Sequence, residues 1–192
     1  MTAEDMINRS FAEHIKIMQT VNETLVEAIN QVGQILARSL SSEGTIFWCG
    51  NGGSAADSQH LAAELVGRFK KDRRALRSIA LSTDTSILTC VANDYSYEEI
   101  FSRQIEALGR SEDILVVIST SGNSENVLRA LESAKTLGLI SVALLGTDGG
   151  LCKDKSDYSI IVPSQNTARI QEAHILIGHI LCEQIEKELM IG

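Results

Sequence analysis

The sequence predicts an α/β fold, a doubly wound five-stranded parallel sheet flanked by helices, and three observations lead there. Short apolar runs recur after Gly44, each bounded by turn residues. Between them lie stretches of helical periodicity, long enough for the crossovers that parallel strands require. Residues 1–43 read as helix alone, an extension placed before the sheet.

Within that extension the helices run from Ala3 to Gln19 and from Asn22 to Leu40, with Leu25, Ile29, Val32, Ile35, Leu36 and Leu40 at helical spacing. An amphipathic pair outside the sheet needs a partner surface, which predicts packing on the same domain and on neighbouring subunits. The five strands are "TIFWC", "SIALS", "DILVVIS", "SVALLG" and "YSIIV". Helices follow at Ala55 to Phe69, Tyr97 to Leu108 and Asn126 to Leu137. The last, Ala168 to Leu189, carries "ILIGHILCEQI" on one side, and its length leaves part of it for a neighbouring subunit. Pro163, the only proline, closes the fifth strand. No linker or low-complexity tract interrupts the chain, so residues 1–192 are read as one domain.

Composition agrees with this outline. A chain of 192 residues with 44% apolar and 22% charged side chains can bury one core and is not disordered. Its net charge of -8 repels phosphate backbones, which argues against nucleic acid and requires a local site for any anionic ligand. "MTAEDMINRS" lacks the basic and apolar regions of a signal peptide, and no apolar run approaches the ~20 residues of a membrane span. A cytoplasmic location without membrane contact is expected. Cys49, Cys90, Cys152 and Cys182 form no C-x-x-C pair and are expected to be free thiols used in packing.

Two strand-to-helix loops carry the chemistry, at the carboxyl ends of strands where open parallel sheets bind ligands. The first, "CGNGGSAAD", has the loose G-x-G-x-x-G/A spacing of a dinucleotide turn through Gly50, Gly52 and Ala55, with Asp84 open as a ribose ligand. The second, "ISTSGNSENV", places Ser119, Thr120, Ser121 and Ser124 around Gly122 just before a helix. Hydroxyls beside the free N–H groups and positive end of a helix suit a small phosphate better than a nucleotide. The plainer reading makes Ser124 a helix cap and the other hydroxyls turn residues.

His60 and Glu64, four apart, share a helix face on which they can act on a metal or a substrate, or simply meet solvent. On the last helix Gln171 and His179 lie two turns apart and ~80° around the axis. His174 competes with His179, and spacing alone leaves both open, although an unpaired imidazole is costly in the apolar stretch around His179.

Over essentially its full length the sequence resembles the phosphoheptose isomerases of the sugar isomerase (SIS) fold group. The resemblance rests on "CGNGGSAAD", "QHLAAELVGRF", "ANDY", "FSRQIEALG", "ISTSGNSENV", "DGG" and "TARIQEAHILIGHILC". It implies a homotetramer assembled through the N-terminal helices, with active sites at subunit interfaces. It also implies one zinc ion per subunit on His60, Glu64, Gln171 and His179, and substrate contacts at Asn51, Gly52, Gly53, Glu64, Asn93, Asp94, Ser119, Thr120, Ser121, Ser124 and Gln171. The implied reaction converts sedoheptulose 7-phosphate to D-glycero-D-manno-heptose 7-phosphate, the first step toward nucleotide-activated heptose and the lipopolysaccharide core. Glu64 is the implied base at carbon and His179 the acid-base partner at oxygen. The alternative is a sister group of the same fold, non-catalytic proteins that bind the replication initiator DnaA. That group characteristically lacks the Glu and the second His, both present here.

Overall fold

The computed structural model describes residues 1–189. Five strands form one parallel sheet: β1 (Ile46–Gly50), β2 (Ser78–Ala80), β3 (Ile114–Ser119), β4 (Ile140–Gly146) and β5 (Tyr158–Val162). Their spatial order is β2-β1-β3-β4-β5. From β1 the chain therefore winds one way to β2 and the other way through β3, β4 and β5, which puts the topological switch point between β1 and β3. All of β3 is buried, the burial expected of a parallel strand covered on both faces.

Helices α1 (Ala3–Thr24), α2 (Val26–Ser41), α3 (Gly53–Val66) and α8 (Thr167–Glu188) precede or follow the strands on one side. Val32, Leu36, Leu61, Leu65, Ile177 and Leu181 of this group pack with Trp48, Val116 and Leu144 from the sheet. The opposite face is covered by α4 (Thr85–Asp94), α5 (Ser102–Leu108), α6 (Glu125–Leu137) and the short α7 (Cys152–Lys155), where Val91, Ile105 and Leu131 meet Phe47, Val117 and Leu145. Alternate strand residues thus feed two cores. Each fully buried large aliphatic side chain contributes about 1.5–3 kcal/mol through removal from water.

The expected elements are present, with local differences. The first helix continues to Thr24, with the Thr20 and Thr24 hydroxyls donating back to the Lys16 and Thr20 carbonyls at 3.1 and 2.7 Å near its end, and the break falls at Leu25. Between Tyr97 and Leu108 a 3-10 turn, Tyr97–Glu99, precedes a shorter α5. Helix α4 was not expected from the sequence. Its start signal is Asp84, whose Oδ1 accepts from Ile87 N at 3.0 Å as an N-cap, which gives this residue a structural role that needs no ribose. All four cysteines are free; Cys49, Cys152 and Cys182 pack in the interior, while Cys90 is exposed and does not. Among the described residues no helix is long and apolar enough to cross a membrane.

Candidate active site

Loops leaving β1 and β3 lie side by side at the switch point and are bonded to each other. Asn51 Nδ2 donates to Asn126 Oδ1 at 2.8 Å, Asn126 Nδ2 returns the bond to Asn51 Oδ1 at 2.9 Å, and the Tyr97 hydroxyl donates to the same oxygen at 3.1 Å. The Asn51 amide, expected to touch substrate, is therefore largely committed to joining the loops. Gly52 enters α3 with φ of 57°, a conformation that favours glycine. At Gly53 a Cβ would come within 2.4 Å of Gln171 Nε2, so the glycine admits the Gln171 amide from α8 against the start of α3.

Further along α3, the helix turns His60 and Glu64 toward α8. His60 Nε2 stands 3.3 Å from Glu64 Oε1 and 3.0 Å from His179 Nε2. One donor atom from each of the three residues falls within 4.8 Å of the others. Two neutral imidazole nitrogens that face each other can share only one proton, and a cation would take up both lone pairs together with the carboxylate oxygen. Imidazole and carboxylate donors suit zinc, so these residues fit the implied metal. The competing His174 points elsewhere. Fully buried against the sheet, its Nε2 meets the Leu145 carbonyl at 2.9 Å, and burial pushes its pKa down to about 4 despite that bond.

Asp57 is the site residue that sequence reasoning missed. It stands one turn before His60 on the same face, so helical spacing held the signal. Burial raises its carboxyl above the ordinary value against the opposing pull of His60 and His179, which places its charge beside both imidazoles. Phe69, just past α3, was also missed; its ring stacks on His179 with centroids 5.4 Å apart and planes 16° apart.

The hydroxyl loop is fastened from beneath. Gly122 N donates to Ser119 Oγ at 3.0 Å, and Asn123 N donates to Ser121 Oγ at 3.3 Å. A Cβ at Gly122 would meet Gly149 O at 2.0 Å, so the "DGG" segment presses directly on this turn. Ser124 occupies the N-cap position of α6 but makes no side-chain cap hydrogen bond. Its hydroxyl and that of partly exposed Thr120 remain open at a helix N-terminus. Asn93 and Asp94 end α4 in exposed positions, with Asn93 Nδ2 donating to Asp94 Oδ1 at 2.8 Å.

Comparison with known proteins gives a consistent answer. The SIS domain family model matches residues 10–146. The chain is 54% identical over 184 residues, 96% of either chain, to a phosphoheptose isomerase of Helicobacter pylori. The structure of a phosphoheptose isomerase from Neisseria gonorrhoeae is similar with a TM-score of 0.90 at 44% identity, covering 97% of this chain and 100% of that one. One from Francisella tularensis is similar with a TM-score of 0.95 at 39% identity and the same coverage. These relatives lend no support to the alternative of a DnaA-binding protein.

Proposed function

The chain belongs to the SIS-domain family and, within it, to the phosphoheptose isomerases; from that premise we propose that it interconverts sedoheptulose 7-phosphate and D-glycero-D-manno-heptose 7-phosphate through an enediol, with Glu64 and His179 moving the protons. The observation that carries the reading is the convergence of His60, Glu64 and His179 within 4.8 Å on two helices beside the switch point.

Glu64 takes the proton from the first carbon of the ketose and returns it to the second. His179 moves the accompanying proton between the two oxygens. His60, Glu64, Gln171 and His179 hold one zinc ion per subunit, which supplies Lewis-acid polarisation of a carbonyl when bound. At the far end Ser119, Thr120, Ser121, Ser124 and the N-terminus of α6 hold the phosphate, with Gly52, Gly53, Asn51, Asn93 and Asp94 along the sugar. Fixing the phosphate fixes the reacting carbons, and that orientation lowers the barrier. The chain acts as one domain of a cytoplasmic homotetramer serving heptose biosynthesis, with sites at subunit interfaces. Ile7, Phe11 and Ile15 support the assembly, because they form an apolar stripe on α1 that is 50%, 67% and 54% exposed.

Turnover of sedoheptulose 7-phosphate, followed before chelation, after chelation and after zinc is restored, tests the reading. Activity should fall on chelation and return with zinc. No turnover by zinc-replete protein would overturn the assignment.

A further inference from the structure

Beside the residues assigned to proton transfer lies a buried ion pair. Arg73 and Glu186 side chains are 0% and 4% exposed and meet at 3.0 Å through Arg73 Nε and Glu186 Oε1. Desolvation makes such a pair a weak source of stability unless its other donors and acceptors are also satisfied. Here they are, and their partners are informative. Arg73 Nη2 donates to the Glu64 carbonyl at 2.8 Å and Nη1 to the Leu65 carbonyl at 2.8 Å. These belong to the last turn of α3, where carbonyls lack helical partners and a cation is favoured.

Glu186 acts on the other helix and on the loop. Its oxygens accept from Phe69 N and Lys70 N, each at 3.1 Å. Burial alone would push the carboxyl up, but the bonds from Lys70, Phe69 and Arg73 outweigh it and hold Glu186 below its ordinary value. Seven residues past His179, it lies two turns along the same face of α8. The Phe69 backbone held by this carboxylate carries the ring that stacks on His179. One buried pair thus reaches the backbone of Glu64 through the arginine and the imidazole of His179 through Phe69.

We propose that Arg73 and Glu186 form a clamp that sets the relative placement of Glu64 and His179, which makes both of them positioning residues for the isomerisation. The proposal rests on the assignment of proton transfer to Glu64 and His179. A planar fork is required at position 73, because an ammonium cannot hold two carbonyls and a carboxylate in that geometry.

The test uses Arg73→Lys and Glu186→Gln in the full chain with zinc, assayed with sedoheptulose 7-phosphate well below each variant's melting temperature. Each should lower kcat by about 10-fold or more, with KM changed by less than about 3-fold, because alignment is lost while the phosphate end is intact. The pH profile of kcat should also move. A lower melting temperature with kcat and pH profile unchanged would overturn the clamp and leave the pair a structural one. If neither variant folds, Phe69→Leu decides, since it removes the stacked ring and keeps the backbone bonds: a lower kcat with a displaced profile supports the proposal, and wild-type kinetics overturn it. Near-normal turnover in Glu64→Gln or His179→Gln would instead sink the underlying assignment, so the two failures are distinguishable.

Discussion

At one end of the site His60 and His179 face each other across 119 positions of sequence, carried by two long helices. At the other, Ser119 to Ser124 supply four hydroxyls within six consecutive residues. The first end depends on how α3 and α8 pack, and it brings a few side chains together at short range. The second depends on local turn geometry and a helix N-terminus, with several similar donors. A displacement that is tolerable among redundant hydroxyls is not tolerable between two imidazoles and a carboxylate. On the proposed assignment, chemistry that needs exact placement is carried on helices with buried anchors, whereas binding is left to loops.

The contrast is tested most strongly at the helical end. Glu64→Gln and His179→Gln should each lower kcat by about 10²–10⁴-fold, with circular dichroism unchanged. Near-normal turnover in either would remove the distinction between the two ends. At the loop end, Ser124→Ala should raise KM by about 10-fold, the worth of one hydrogen bond to a charged oxygen. Because no cap bond is lost, its melting temperature should stay within about 1 °C of wild type, whereas loss of a working cap would cost about 1 kcal/mol, or about 2–4 °C in a chain of this size. A lower melting temperature with unchanged KM would restore Ser124 as a plain cap.

The smallest effect separates the two histidines of α8. His174 is neutral in the fold, its pKa lowered from 6.5 to about 4, and protonated in the unfolded chain below the higher value. Its contribution is therefore present above about pH 6.5 and is lost as pH falls toward 4, about 2 kcal/mol of it by pH 5. In thermal melts, wild type should lose about 4–8 °C more than His174→Gln between pH 7 and pH 5. Equal losses would mean that His174 does not titrate across unfolding.

Much of this was legible in the sequence because it is local. Five apolar runs with helical spacers define a parallel sheet, and "ISTSGNSENV" places hydroxyls before a helix wherever the chain goes next. Helix α4 escapes the sequence reading although Asp84 signals its start; at Thr85–Asp94 it is less than half the length of α8. Asp57 was overlooked although it shares the face of His60 and Glu64. By contrast, no local pattern distinguishes His174 from His179, or pairs Arg73 with Glu186 across 113 positions. By itself the sequence determined the sheet, the two strand-to-helix loops after β1 and β3 and a helix bearing His60 and Glu64, since periodicity and turn chemistry act over a few residues. Only the tertiary structure decided that His179 faces Glu64 while His174 holds β4, because the packing of α8 against the sheet and α3 fixes its rotation about its own axis.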